Sequence, residues 1–313
     1  MRSELNVQPL VSVIIPSRDR FAYLGAAVRS ALGQSYRNLE VLVQDDASQR
    51  DPTQLLTALH DPRVRVARNA EQLGGNATFL AGCRRATGEY FAILGAGDLW
   101  HADFLRRLVV PMAADPDIAV AFCAHDCIDA NGRVDAVSTG INNRRHRSGL
   151  TPGVHTDIVR LALINRSICA VSAAVYRRSA VEWERIPSEV NLGFGEYTNY
   201  LAARTGKRCY YEPHHLAQVR QLPEHERPQS NPTASELVGR TWMGYWDAFY
   251  RDQAVAAGKR YFAMRRSDHA LRVLLCRLQH QGPRASLREL EALKKTGMFS
   301  ALSLLYHLRY GKE

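Results

Sequence analysis

Short apolar runs, each followed by a helix-period segment, recur along the first 135 residues, and this alternation constrains the fold more than any other feature of the chain. Val11-Ser-Val-Ile-Ile15 reads as a buried strand ending at Pro16. Leu24, Val28, Ala31 and Leu32 then share one face of a helix. Leu39–Val43 is a second strand, Thr53–Leu59 a helix, Val64–Val66 a third strand and Ala77–Ala86 a helix stopped by Gly88. Tyr90–Leu94, Phe104–Met112 and Ile118–Phe122 continue the series as strand, helix and strand. Such a rhythm predicts βαβ units, hence an α/β fold with a mostly parallel sheet flanked by helices. Ligands on these sheets sit beyond the carboxyl ends of the strands. The residues that matter most are therefore Pro16–Arg20, Asp45-Asp46 and Gly95–Asp98.

After about residue 135 the rhythm breaks. Ser138–Pro152 is polar and arginine-rich and reads as a mobile loop, and Pro223–Pro232 as a linker. From Ser235 onward the pattern is helical, with breaks at Gly258 and Gly282-Pro283. This organisation predicts a catalytic-type domain over 1–232, with one half at about 8–135 and a second at 136–232, and a helical C-terminal extension over 233–313.

Hydrophobic residues make up 46% of the 313, enough for a sizeable core. No apolar run is long enough for a transmembrane helix, the start lacks a signal-peptide stretch, and six scattered cysteines suit a reducing compartment. Cytoplasmic residence is the expectation, with peripheral contact at the inner membrane face as a further possibility. The net charge of +10 is concentrated at the C-terminal end. An anionic membrane face, a phosphorylated substrate and a solvated helix surface all fit that charge, and no nucleic-acid-binding motif accompanies it. The apolar segment Met298–Tyr310 invites intramolecular packing, a homodimer contact or a membrane surface.

Two adjacent carboxylates at a strand end, Asp45-Asp46, are costly without partners. A nucleotide base or ribose supplies such partners; so does a turn in which Asp46 or Ser48 caps the next helix. Gly95-Ala-Gly-Asp98 lies on the same rim. Its glycines let a ligand approach the backbone and Asp98 offers a carboxylate to a cation, although an ordinary strand-to-helix turn has the same composition.

VSVIIPSRDR, ALGQSY, NLEVLVQDDAS, LGGNATF, ATGEYFAILGAGDLWHADFL and IDANGRV, in this order and spacing over Val11–Val134, resemble a family 2 glycosyltransferase of the GT-A fold. The stretch through Glu196 to Leu216-Ala-Gln-Val-Arg220 is similar to that family's acceptor half, more loosely. The resemblance implies a nucleotide-sugar donor lined by Pro16, Ser17 and Arg20, with Asp45 and Asp46 at base and ribose and Asn76 flanking the donor. It implies that Asp98, the last carboxylate of the family's acidic motif, helps bind a divalent cation, Mg²⁺ or Mn²⁺, and the diphosphate. It implies transfer with inversion, as in carbohydrate or natural-product biosynthesis, to a saccharide, lipid-linked or small-molecule acceptor.

The chain departs from the family where Gly95 and Gly97 replace aspartates. Asp98 with water ligands still suits Mg²⁺; arginines in place of the metal are the alternative, with Arg144, Arg145 and Arg147 as candidates. A degenerate nucleotide-sugar-binding protein is the other reading. For the general base, the family's Glu-Asp pair corresponds to Glu196-Tyr197, so Glu196 is the candidate and Asp157 the fallback. Glu196 also fits a carboxylate at a helix N-terminus. Cys123, His125 and Cys127 alternate on a strand without enough partners for zinc, and His214-His215 has the same shortfall. Trp242, Tyr245, Trp246 and Phe249 follow helical spacing and read as core.

Overall fold

Strand β1 (Val11–Ser17) is apolar on both faces because helices cover both. Val11, Val13 and Ile15 join a core with Leu24, Ala27, Val28 and Ala31 of α1 (Phe21–Leu32), and with Phe104, Leu105, Leu108 and Met112 of α4 (Phe104–Ala114). Ile14 faces the other way, against α3 (Gly75–Arg85), where a Cβ on Gly82 would lie 2.5 Å from its Cγ2. In this computed structural model residues 8–187, 193–221 and 232–295 are described. The chain divides into two compact units, Met1–Gln221 and Leu222–Glu313.

In the first unit the described strands form one nine-stranded sheet. Its parallel part is β3 (Val64–Arg68), β2 (Leu39–Asp45), β1 and β4 (Tyr90–Ile93), in that spatial order. Next to β4 lies β8 (Ala174–Arg177), antiparallel both to it and to β6 (Ile118–Ile128). β6 runs parallel to β9 (Arg208–Arg220), which also pairs antiparallel with β5 (Leu99–Trp100) and β7 (Gly153–His155). The short helix α2 (Thr53–Thr57) links β2 to β3.

Two elements differ from the sequence expectation. β6 runs on to Ile128, so Cys123, His125 and Cys127 belong to a buried strand. The stretch expected as a mobile loop holds helix α5 (Ala136–Arg147), capped by Asp135, whose carboxylate accepts N–H bonds from Val137 and Ser138 at 3.0 Å. Helix α6 (Phe194–Arg204) agrees with one of the two readings of Glu196, which lies in its first turn.

The second unit contains α7 (Pro232–Arg251), a 3₁₀ segment (Gln253–Gly258), α8 (Lys259–Gln281) and α9 (Pro283–Lys295). Trp246, Phe249 and Phe262 are fully buried; Trp246 stacks on Phe262, and Phe249 meets both rings edge-on, so the aromatic spacing in α7 is helix core. Much of the basic charge here is internally paired: Arg240 and Arg277 each bridge Glu236 and Glu289, and Arg266 meets Asp247 at 2.6 Å. Among the described residues no helix is long and apolar enough to cross a membrane. The linker expected at Pro223–Pro232 and the segment Met298–Tyr310 lie almost wholly outside the described residues.

Candidate functional site

The parallel strands end level with one another. Ser17 of β1 pairs in register with Asp45 of β2, and Asp45 with Arg68 of β3. The turns beyond them are stitched together: the N–H of Asp46 donates to the Ser17 carbonyl (2.8 Å), that of Asp19 to Ser48 Oγ (2.9 Å) and that of Gln49 to Asp19 Oδ1 (2.8 Å). Asp19 and Ala47 hold positive φ, 49° and 51°, a conformation that non-glycine residues adopt at a cost and that clusters at functional sites. Pro16 and Arg20 flank this rim half-buried, and Arg20 starts α1 by accepting the N–H groups of Tyr23 and Leu24.

Both aspartates after β2 are buried and internally bonded. Asp45 accepts the N–H and hydroxyl of Ser48, with the Arg68 guanidinium 3.6 Å away. Asp46 Oδ1 accepts from Asn69 Nδ2 (2.9 Å) and the Leu73 N–H (2.8 Å), while Oδ2 accepts the Gly74 N–H (2.9 Å). Burial opposes the charge of Asp46, yet these three donors outweigh it and hold the carboxyl below the ordinary carboxylate range. Asp46 thereby fixes the loop that opens α3, where Gly74 takes φ 87°. Asn76, at the start of α3, donates to the Pro187 carbonyl (2.9 Å), and its Oδ1 is buried without a hydrogen-bond partner.

Asp98 arrives on the same rim after β4. Its Oδ2 accepts from Ser172 Oγ (2.6 Å) and its Oδ1 from the Arg220 N–H (2.9 Å). Burial pushes its carboxyl up, against those two bonds. Ser172 Oγ also accepts the Gly95 N–H (3.0 Å), so the carboxylate folds back over Gly95. A Cβ on Gly95 would lie 2.5 Å from Asp98 Oδ2, and one on Gly97 would meet Arg220 at 3.7 Å. The Arg220 guanidinium donates to the Gly97 carbonyl (2.8 Å) and to the carbonyls of Asp129 and Ala130, and lies 4.4 Å over the Tyr23 ring. Nothing in the sequence marked Ser172, and Arg220 stood there only as the end of a loosely similar segment.

A divalent cation of the Mg²⁺ kind prefers about six oxygen ligands. Of the acidic motif Asp98 alone remains, and both its oxygens already accept protein hydrogen bonds. No group of three His, Cys, Asp or Glu side chains suited to a metal occurs among the described residues. The described residues thus offer a divalent cation one carboxylate, beside a guanidinium, and no acidic cluster.

Glu196 is buried and ion-paired: Arg166 Nε lies 3.1 Å from Oε1. Arg166 itself has φ 52°. Gly195 presses on Val171, where a Cβ would lie 1.9 Å from Cγ1, and Phe194 stacks on Phe79 of α3 at 4.8 Å. The turn Val171–Ala173 therefore joins the first turn of α6 to Asp98 through Ser172. Asp157 is exposed, caps the next turn through the Arg160 N–H (3.0 Å) and lines a separate polar cleft of about 400 Å³ with Arg160 and His155. Arg147 is buried against His125, Asn142 and Asn143, while Arg144 and Arg145 are exposed on α5. Burial and the nearby Arg147 push His125 down to about 3, so it is the neutral acceptor of that guanidinium. His214 is tied to Glu212 and His215 to Asp126.

Residues 12–182 match the family described as glycosyl transferase family 2. That span is more than half of the chain, which therefore belongs to this family. An uncharacterized glycosyltransferase of Nostoc sp. is 32% identical over 133 residues, 41% of each chain. The UDP-Glc:alpha-D-GlcNAc-diphosphoundecaprenol beta-1,3-glucosyltransferase WfgD of Escherichia coli is 28% identical over 125 residues, 40% of this chain and 49% of WfgD. The chain thus spans under half the length of these relatives. Among solved structures, S. aureus TarS 1–349 with UDP-GlcNAc superposes with a TM-score of 0.58 at 14% identity, covering 86% of this chain and 73% of TarS 1–349. The mannosyltransferase PcManGT of Pyrobaculum calidifontis, in complex with GDP-Man and Mn²⁺, gives 0.57 at 17% identity, covering 98% of this chain and 89% of that one. The fold is GT-A, as the sequence predicted.

Proposed function

We propose that the chain transfers a sugar from a nucleotide-sugar donor held on the rim after β1, β2 and β4, with inversion at the anomeric carbon. The observation that carries this is the convergence of Ser17, Asp45, Asp46 and Asp98 on one edge of the parallel sheet. Asp46 Oδ2 accepts one backbone bond and keeps lone-pair capacity for a further donor such as a ribose hydroxyl; Asp45, Pro16, Ser17 and Arg20 form the neighbouring wall, and Asn76 sits at the α3 side. Glu196 is the base that takes the acceptor's proton, and Arg166 orients its carboxylate. WfgD, by its name, acts on a diphosphoundecaprenol-linked acceptor, which supports a lipid-linked saccharide as the acceptor class here. Such an acceptor sits in a membrane, which supports work at a membrane face. Calorimetric titration of UDP- and GDP-sugars tests the reading: one of them binds, and its sugar is transferred or slowly hydrolysed. Binding without any turnover indicates a chain that kept the pocket and lost the reaction; no binding by any nucleotide sugar sinks the proposal.

A further inference from the structure

We infer that Arg220 provides the positive charge for the donor diphosphate, so that the nucleotide binds without a divalent cation. The inference rests on the nucleotide-sugar reading above and deepens it. Four observations carry it. Of the two glycines that stand for carboxylates, Gly95 is closed off by the Asp98 carboxylate, and Gly97 has the Arg220 side chain at contact distance. Asp98 turns one oxygen to Ser172 Oγ and the other to the Arg220 N–H, so it positions Arg220 and stands as the single carboxylate left of the motif. The guanidinium lies where three parts of the rim meet, namely Tyr23 of α1, Gly97 after β4 and the turn Asp129–Gly132 after β6. Its Nε and Nη1 are anchored by carbonyls, and Nη2 takes no protein acceptor among the described residues.

A guanidinium fixed in this way offers a planar donor edge that suits phosphate oxygens, and it remains charged at every working pH. Held by carbonyls and an aromatic face, it needs little reorganisation as charge builds on the departing diphosphate. A lysine in its place keeps the charge and loses the fork.

The test uses the full chain in excess EDTA and, separately, with Mn²⁺. UDP, GDP, uridine and guanosine are titrated by calorimetry. Wild type is expected to bind one nucleoside diphosphate in EDTA within about threefold of its affinity with Mn²⁺. Arg220→Gln is expected to lose at least about tenfold for that diphosphate in EDTA and to leave the matching nucleoside unchanged. A role confined to holding the 129–132 turn would instead weaken nucleoside and diphosphate together, which overturns the inference. Gly97→Asp supplies a second variant that leaves Arg220 in place. The new side chain makes ordinary contact with Arg220, and its carboxylate neutralises the guanidinium, so metal-free diphosphate affinity falls and Mn²⁺ restores it. Diphosphate binding in wild type that requires Mn²⁺, or an Arg220→Gln chain that matches wild type in EDTA, overturns the inference while nucleotide binding itself stands. Absence of binding by every nucleotide and nucleoside, with and without Mn²⁺, removes the nucleotide-sugar reading instead, and this inference with it.

Discussion

Asp46→Asn isolates what the second carboxylate after β2 does for the rim. The wild-type carboxylate accepts from Asn69, Leu73 and Gly74, all at 2.8–2.9 Å. An amide of the same size keeps one oxygen for Asn69 and Leu73 and turns an NH₂ toward the Gly74 N–H, donor against donor. Losing one bond to a charged acceptor costs about 1.5–3 kcal/mol, and neutralising the acceptor of the other two takes roughly half of each. The sum is about 3–6 kcal/mol, which for a unit of roughly 200 residues lowers Tm by about 6–24 °C. The pH dependence has a definite sign. The folded pKa of Asp46 is depressed, so its contribution is present above the unfolded carboxyl value and is lost as pH falls through the folded one. The gap between wild type and variant is therefore full at neutral pH and closes in acid. Thermal melts followed by circular dichroism from neutral pH into the acid range measure it. Donor affinity falls with the loop, by about tenfold or 1.4 kcal/mol. A Tm within about 2 °C of wild type at neutral pH, less than about 1 kcal/mol, refutes the claim that Asp46 organises the 69–74 loop.

Glu196→Gln keeps donor binding and lowers single-turnover transfer by about a hundredfold; near wild-type turnover removes Glu196 as base, and loss confined to Asp157→Asn moves the role there. Gly95→Ala drives a Cβ to 2.5 Å from Asp98 Oδ2 and breaks the Asp98–Ser172 bond, with a stability loss of about 1–3 kcal/mol in urea unfolding; an unchanged midpoint shows that Asp98 does not fold back over Gly95 in solution. Trp246→Ala empties the aromatic core of the second unit and costs about 3–5 kcal/mol, read as early unfolding of that unit, whereas an unaltered melt contradicts its burial.

The parallel half of the sheet was legible because its strands are buried on both faces, so Val11–Ile15 and Leu39–Val43 read as unbroken apolar runs. Helix α5 was not legible. Its sequence, AVSTGINNRRHR, has no apolar stripe, and the helix is set by the Asp135 cap and by Arg147 reaching into the sheet at His125. Strand β6 read short because Cys123, His125 and Cys127 interrupt its apolar run; burial and the Arg147 bond accommodate the histidine as neutral. The rim residues after each strand were nameable from their positions. Their partners were not, since Asp46 meets Leu73 and Asp98 meets Ser172 and Arg220 across 27, 74 and 122 residues of sequence.

The loss of two carboxylates from an acidic motif reads at first as decay, and the geometry around Asp98 argues against that. Here a guanidinium lies beside Gly97, anchored by three carbonyls and an aromatic ring, and the surviving carboxylate is turned to hold the backbone of that same arginine. The changes are coupled sterically. With Asp98 in its present position, position 95 cannot carry even a methyl group without displacing it, and a side chain at 97 contacts Arg220. Gly95, Gly97, Asp98 and Arg220 thus form one connected arrangement, and on the inference above it is this arrangement that holds the diphosphate, with the charge supplied by the chain itself.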